Sequence, residues 1–139
     1  MKRKWLAVAS LLATVSCVIS LPGCGSKQKL VSITVNPSGG VVFGAVDPAL
    51  FAQLTATGVY VHPPATKDIT NQVTWTSDIT EVALVSSSGI VTPNVACGVS
   101  NITASLKTSS PTGNIISGTI SVTVDGSPSP PCPNTTPGQ

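Results

Sequence analysis

Few side chains in this sequence can do covalent chemistry. Its 139 residues include four cysteines (Cys17, Cys24, Cys97, Cys132), one histidine (His62) and five carboxylates (Asp47, Asp68, Asp78, Glu81, Asp125). A thiol can act as a nucleophile, a metal ligand, half of a disulfide or a site of modification, and its surroundings decide which. Cys97 and Cys132 together with His62 lack zinc-ligand spacing. Serines are plentiful, yet no Gly-x-Ser-x-Gly turn offers one as a nucleophile. His62 stands beside Pro63 and Pro64, a loop composition. Glycoside hydrolysis needs two carboxylates across a cleft, and calcium needs about six to eight oxygens, several of them from carboxylates. Asp68, Asp78 and Glu81 are candidates for one end of the fold, but no Asp-x-Asp motif joins them. Turn and capping roles are expected for them, because a short carboxylate bonds nearby backbone amides. The expectation is a protein that is not an enzyme, with no catalytic residue, no metal and no cofactor.

Cys24 has the most distinctive setting. Lys2, Arg3 and Lys4 open the chain, residues 5–21 are apolar apart from Ser and Thr, and Leu21-Pro22-Gly23 precedes the cysteine. A basic start, an apolar run and a small residue at a cleavage point make a secretory signal. A membrane-spanning anchor is the alternative, but it needs about 20 apolar residues. Pro22-Gly23 breaks this run after 17 residues. Residues 21–24 resemble the lipobox of bacterial lipoproteins, with Pro22 where a small or aliphatic residue is usual. The resemblance implies that residues 1–23 are a signal peptide and that Cys24 is S-diacylated and then N-acylated as the first mature residue. The membrane is then a partner through that lipid. Cys17, after Thr14-Val15-Ser16, is a poorer match. Gly25 rather than an acidic residue follows Cys24. In a double-membraned cell this implies the outer membrane, the cell membrane being the other address, with the domain facing periplasm or exterior. With Cys17 removed and Cys24 acylated, Cys97 and Cys132 remain in an oxidising compartment. One intramolecular disulfide is expected there, with two free thiols or an intermolecular bridge through Cys132 as alternatives.

Removal of residues 1–23 leaves 116 residues, enough for one domain with a core. It also leaves four lysines against five acids, a net charge of −1. No basic patch is expected in so sparse a set, and nucleic acid is not an expected partner. Residues 24–29 form a short polar tether. The body is rich in Thr, Ser, Val and Ile, with Gly and Pro as punctuation, a composition of short strands and turns. Val31, Ile33 and Val35 alternate with Ser32 and Thr34, and Ala52, Leu54 and Ala56 with Gln53, Thr55 and Thr57. Trp75 shares a face with Val73, between Thr74 and Thr76, and is the predicted core anchor. Ser86–Gly89 reads as a hairpin turn, and Ile102, Ala104 and Leu106, then Ile116, Ile120, Val122 and Val124, give two further inward faces. The pattern predicts an all-β chain of seven or eight antiparallel strands in a β-sandwich, apolar inside and hydroxyl-rich outside. The tail, residues 126–139, holds five prolines and predicts neither strand nor helix.

Six stretches carry a further resemblance: Val31–Pro37, Gln53–Gly58, Lys67–Ser77, Val82–Thr92, Gly98–Ala104 and Gly118–Val124. In order and spacing, residues 30–125 resemble a bacterial Ig-like domain of the group 2 type, the module repeated in intimin- and invasin-like adhesins. Cys97 stands where the family usually has a small residue. The resemblance implies an Ig-like β-sandwich that mediates adhesion or binds an envelope or surface protein or glycan. The residues themselves leave a structural role open, as a spacer or envelope-assembly subunit without a ligand. Tyr60–Lys67, Ser77–Glu81 and Lys107–Asn114, loops that are long or contain unusual residues, are the candidate recognition surface.

Overall fold

The computed structural model describes residues 27–109 and 113–126. Cys24, the leader before it and the proline-rich tail with Cys132 lie outside the described residues. The fold is all-β. Ten strands run in the order β1 (Lys29–Asn36), β2 (Val41–Phe43), β3 (Ala52–Gln53), β4 (Thr55–Val61), β5 (Ala65–Asp68), β6 (Thr74–Ser77), β7 (Ala83–Val85), β8 (Ile90–Pro93), β9 (Gly98–Lys107) and β10 (Ile115–Val124).

Hydrogen bonding divides them into β1-β4-β5, β3-β8-β7 and β2-β10-β9-β6. Only Leu54 separates β3 from β4, and its N–H donates to the Gly89 carbonyl (2.8 Å). The two three-stranded sheets are therefore two halves of one layer, laid over the four-stranded sheet. One core fills the space between, taking Ile33 and Val35 from β1, Ala56 from β4, Trp75 from β6, Val91 from β8, Ile102 and Ala104 from β9 and Val122 from β10. This is the arrangement that alternating apolar and hydroxyl residues dictate, since each sheet can bury only one face.

Several expectations are corrected. There are ten strands among the described residues rather than seven or eight, because the layer is broken into short pieces. Not all pairings are antiparallel: β2 runs parallel to β10, Val41 to Phe43 against Val122 to Val124. The cause lies at the end of β1. Pro37 has no N–H to continue the ladder with β4, and Ser38–Gly40 turns the chain across to the other layer. Gly40 has φ 84° there. In β1 the inward set is Leu30, Ile33 and Val35, while Val31 is 43% exposed. A register shift between Leu30 and Ser32 inserts Val31 as an extra residue against β4, which turns its side chain outward. Tyr60–Lys67 is not a loop but the β4–β5 hairpin, turning at His62–Pro64. Val73 is buried, but in the turn before β6, where its N–H donates to Ile69 (3.2 Å).

Candidate functional site

The ends of the strands define two poles. At one, Lys29 of β1 faces Val61 of β4, and Lys107 of β9 faces Ile115 of β10. At the other, Gly98 pairs with Val124, the Asp125 N–H reaches Phe43 (2.8 Å) and the N–H groups of Val95 and Ala96 donate to Glu81 (3.0 and 2.8 Å).

A cavity of about 560 Å³ opens at the first pole, between the start of β1, the end of β4 and the β9–β10 ends. Its lining includes Lys27, Lys29 and Lys107 beside Tyr60, Leu106 and Ile116. The lysines are exposed, so their heads stay in water while their stems lie along apolar surface. Among the described residues no carboxylate lines it. Its rim is ordered by Gln28, whose Nε2 donates to the Pro63 carbonyl (3.1 Å) and whose Oε1 accepts from Lys67 Nζ. The Lys67 ammonium also sits 5.1 Å from the Tyr60 ring centroid, within cation–π range. All four lysines after residue 4 thus meet at one pole, correcting the expectation of no basic patch. Composition hid this because positions 27, 29, 67 and 107 converge only through strand pairing. The signal that carries it is the β4–β5 hairpin, which folds Lys67 back beside Gly58 and places Tyr60 opposite Leu30.

Two polar clusters hold two of the five acids, Asp68 and Asp78. Asp68 Oδ1 accepts from the Thr70 hydroxyl (2.6 Å) and N–H (2.8 Å), which together hold its carboxyl below the usual range. The Thr70 hydroxyl in turn accepts the buried Ala56 N–H (3.0 Å), and the Thr70 carbonyl accepts the Trp75 indole N–H (3.0 Å). Trp75 is 8% exposed. Asp78 accepts from the Asn101 side chain (2.9 Å) and N–H (2.7 Å), which push its carboxyl down, and from the buried Ser100 hydroxyl (2.8 Å). These bonds tie strands together and present no carboxylate to a cleft. Among the described residues no three His, Cys, Asp or Glu side chains form a metal-ligand set.

The three expected recognition segments do not form one surface. Tyr60, Lys107 and Asn114 meet around the cavity, whereas Ser77–Glu81 lies toward the opposite pole, with Asp78 bound to Asn101 and Glu81 to Val95. Five exposed apolar side chains lie on three loops toward that second pole: Val46, Leu50 and Phe51 after β2, Ile79 before β7 and Val95 before β9. Others lie elsewhere, Leu84 and Ile90 on β7 and β8 and Ile115 (68% exposed) opposite Lys107 at the first pole. Cys97, half-buried next to β9, is disulfide-bonded; Cys132, its expected partner, and Cys24 lie outside the described residues. No protein-family model matches the chain, and no curated protein matches it.

Proposed function

We propose that this chain is a lipid-anchored cell-envelope protein, held at a membrane through Cys24, whose single Ig-like β-sandwich binds a protein or glycan through the pole far from the anchor. The observation that carries this reading is the set of apolar side chains on three loops at that pole, among them Phe51 at 70% and Val95 at 75% exposure. Single exposed apolar residues are ordinary, but a group from separate loops at one end marks a contact surface. Two layers, a first strand whose chain crosses from one layer to the other, and a buried Trp75 support the Ig-like reading, as do the motif stretches that resemble the bacterial group 2 module. The lysine pole follows Cys24 within a few residues, so an acyl anchor leaves the apolar pole facing away from the membrane. The Cys97 disulfide is assigned to Cys132, which pins the proline-rich tail near the β8–β9 loop.

Crosslinking and pull-down from native envelopes, with the acylated full chain as bait, tests this. A protein or glycan recovered with the native chain and lost with Phe51→Ser or Val95→Ser supports binding through the far pole. Identical recovery with native and variant chains overturns it in favour of a structural spacer or envelope-assembly subunit. Mass spectrometry of the bait reads the acylation of Cys24 independently.

A further inference from the structure

The cavity at the lysine pole has a geometry that a tether alone does not call for. Three lysines line an opening of about 560 Å³, a size typical of small-ligand sites. Lys67, pinned by Gln28 and Tyr60, adds a fourth positive charge at its edge. No lining carboxylate neutralises them. The five acids lie elsewhere: Asp68 is held by Thr70, Asp78 by Asn101 and Asp47 by the Ala49 N–H after β2, while Glu81 and Asp125 are at the other pole. Leu106, Ile116 and the Tyr60 ring give the same wall an apolar component, the combination found where side chains meet a lipid–water boundary. Lys27 is three residues from Cys24, so the chain between them spans no more than about 10 Å. A lipid on Cys24 therefore holds the cavity at headgroup depth.

We infer that this cavity receives the phosphate headgroup of an anionic phospholipid in the membrane that anchors the chain, fixing the domain upright with its lysine pole down. This rests on the anchor reading above. The acyl chain supplies retention, and the cavity supplies orientation. The attraction is electrostatic and short-ranged, so it depends on lipid charge and salt rather than on lipid chain length.

The test is amine labelling of the acylated full chain reconstituted into phosphatidylcholine vesicles, with and without phosphatidylglycerol, mapped by mass spectrometry. Lys27, Lys29 and Lys107 should be labelled severalfold more slowly when phosphatidylglycerol is present, and high salt should remove the difference. Lys107→Gln should reduce the protection at Lys27 and Lys29 by about fivefold, the effect of one cation near an anionic surface. Equal labelling in the two membranes overturns the inference. Equal protection by inorganic phosphate over phosphatidylcholine alone also overturns it, because the cavity is then a site for free phosphate rather than for lipid. The mass of the Cys24 peptide from the same sample reads the anchor separately. If Cys24 carries no lipid, the anchor reading fails. Labelling of that unacylated chain with the two vesicle types added then decides whether the cavity itself prefers anionic lipid.

Discussion

Substituting Gly118 tests the crossing of β1 over β10, on which the two-layer arrangement depends. Gly118 is an inward position of β10 between Ile116 and Ile120, and it pairs with Ala104 of β9. A Cβ there would lie 3.0 Å from the carbonyl carbon of Ile33, closer still to its oxygen, and 3.4 Å from Ile33 Cγ2. Carbon atoms rest about 3.5–4.0 Å apart, so Gly118→Ala forces β1 outward by roughly half an ångström or more. What must move is backbone. Ile33 is 6% exposed and its strand is paired with β4 on both sides of it. Overpacking of this kind costs about 1–3 kcal/mol, and a rigid backbone neighbour puts the cost near the upper end. The lower chain entropy of unfolded Ala returns about 0.4–1 kcal/mol. The net loss is about 2 kcal/mol, which lowers the melting temperature of a domain this size by roughly 10 °C. Gly39→Ala is the control, since nothing lies within 4 Å of its Cβ position and the backbone there is not left-handed; it should be neutral or slightly stabilising. Urea and thermal unfolding by circular dichroism read both variants. If Gly118→Ala matches Gly39→Ala, β1 does not press on β10 and the layer crossing is wrong.

Other predictions concern the polar clusters and the cysteines. Thr70→Val keeps the shape but removes the acceptor of the buried Ala56 N–H, and an unsatisfied buried donor should cost about 1–3 kcal/mol in urea unfolding. Because Asp68 and Asp78 are both held below the usual carboxylate range, their contribution is complete at neutral pH. It is lost as pH falls through that range and below. Asp78→Asn should therefore lower stability at neutral pH and flatten its decline in acid, seen by melting the two proteins across a pH series; a parallel decline would separate acid sensitivity from Asp78. Peptide mapping without reduction should return Cys97 linked to Cys132. Cleaving a bond that closes 35 residues should cost roughly 3–4 kcal/mol on the chain-entropy model, whereas a Cys97 peptide linked to another chain would sink the pairing.

How much of this was legible in the sequence depends on how far apart the determining residues lie. Ala52, Leu54 and Ala56, or Ile102, Ala104 and Leu106, declare an inward face because local alternation alone decides it. Ser86–Gly89 was readable for the same reason: Gly89 takes φ 80° and its N–H closes on Ser86 (3.0 Å). Val31 reads as inward in the same alternation yet points out, because a bulge is set by the partner strand. The parallel pairing of β2 depends on where the chain goes after Pro37, which no local pattern states. Gly118 interrupts the inward series Ile116, Ile120, Val122 and Val124, and that gap was the one visible trace of β1 crossing there. The lysine pole left no trace in any local pattern, since its members are separated by up to 80 positions and meet only through strand pairing and the β4–β5 hairpin.

The sheet order bears on how copies of this domain coexist when crowded. An exposed sheet edge is a template on which another chain can add a strand and begin aggregation. Among the outer strands, β2 and β7 have three residues, β5 and β6 four and β3 two, too short to recruit a stable neighbour. β5 also carries Lys67 and Asp68, which penalise an incoming strand. The one long outer strand, β1, is kinked by its bulge, halted by Pro37 and laid against β10 at Gly118. Under the proposed membrane anchor, many copies would meet at high local concentration, and these blunt margins would let them stand side by side without fusing into a continuous sheet.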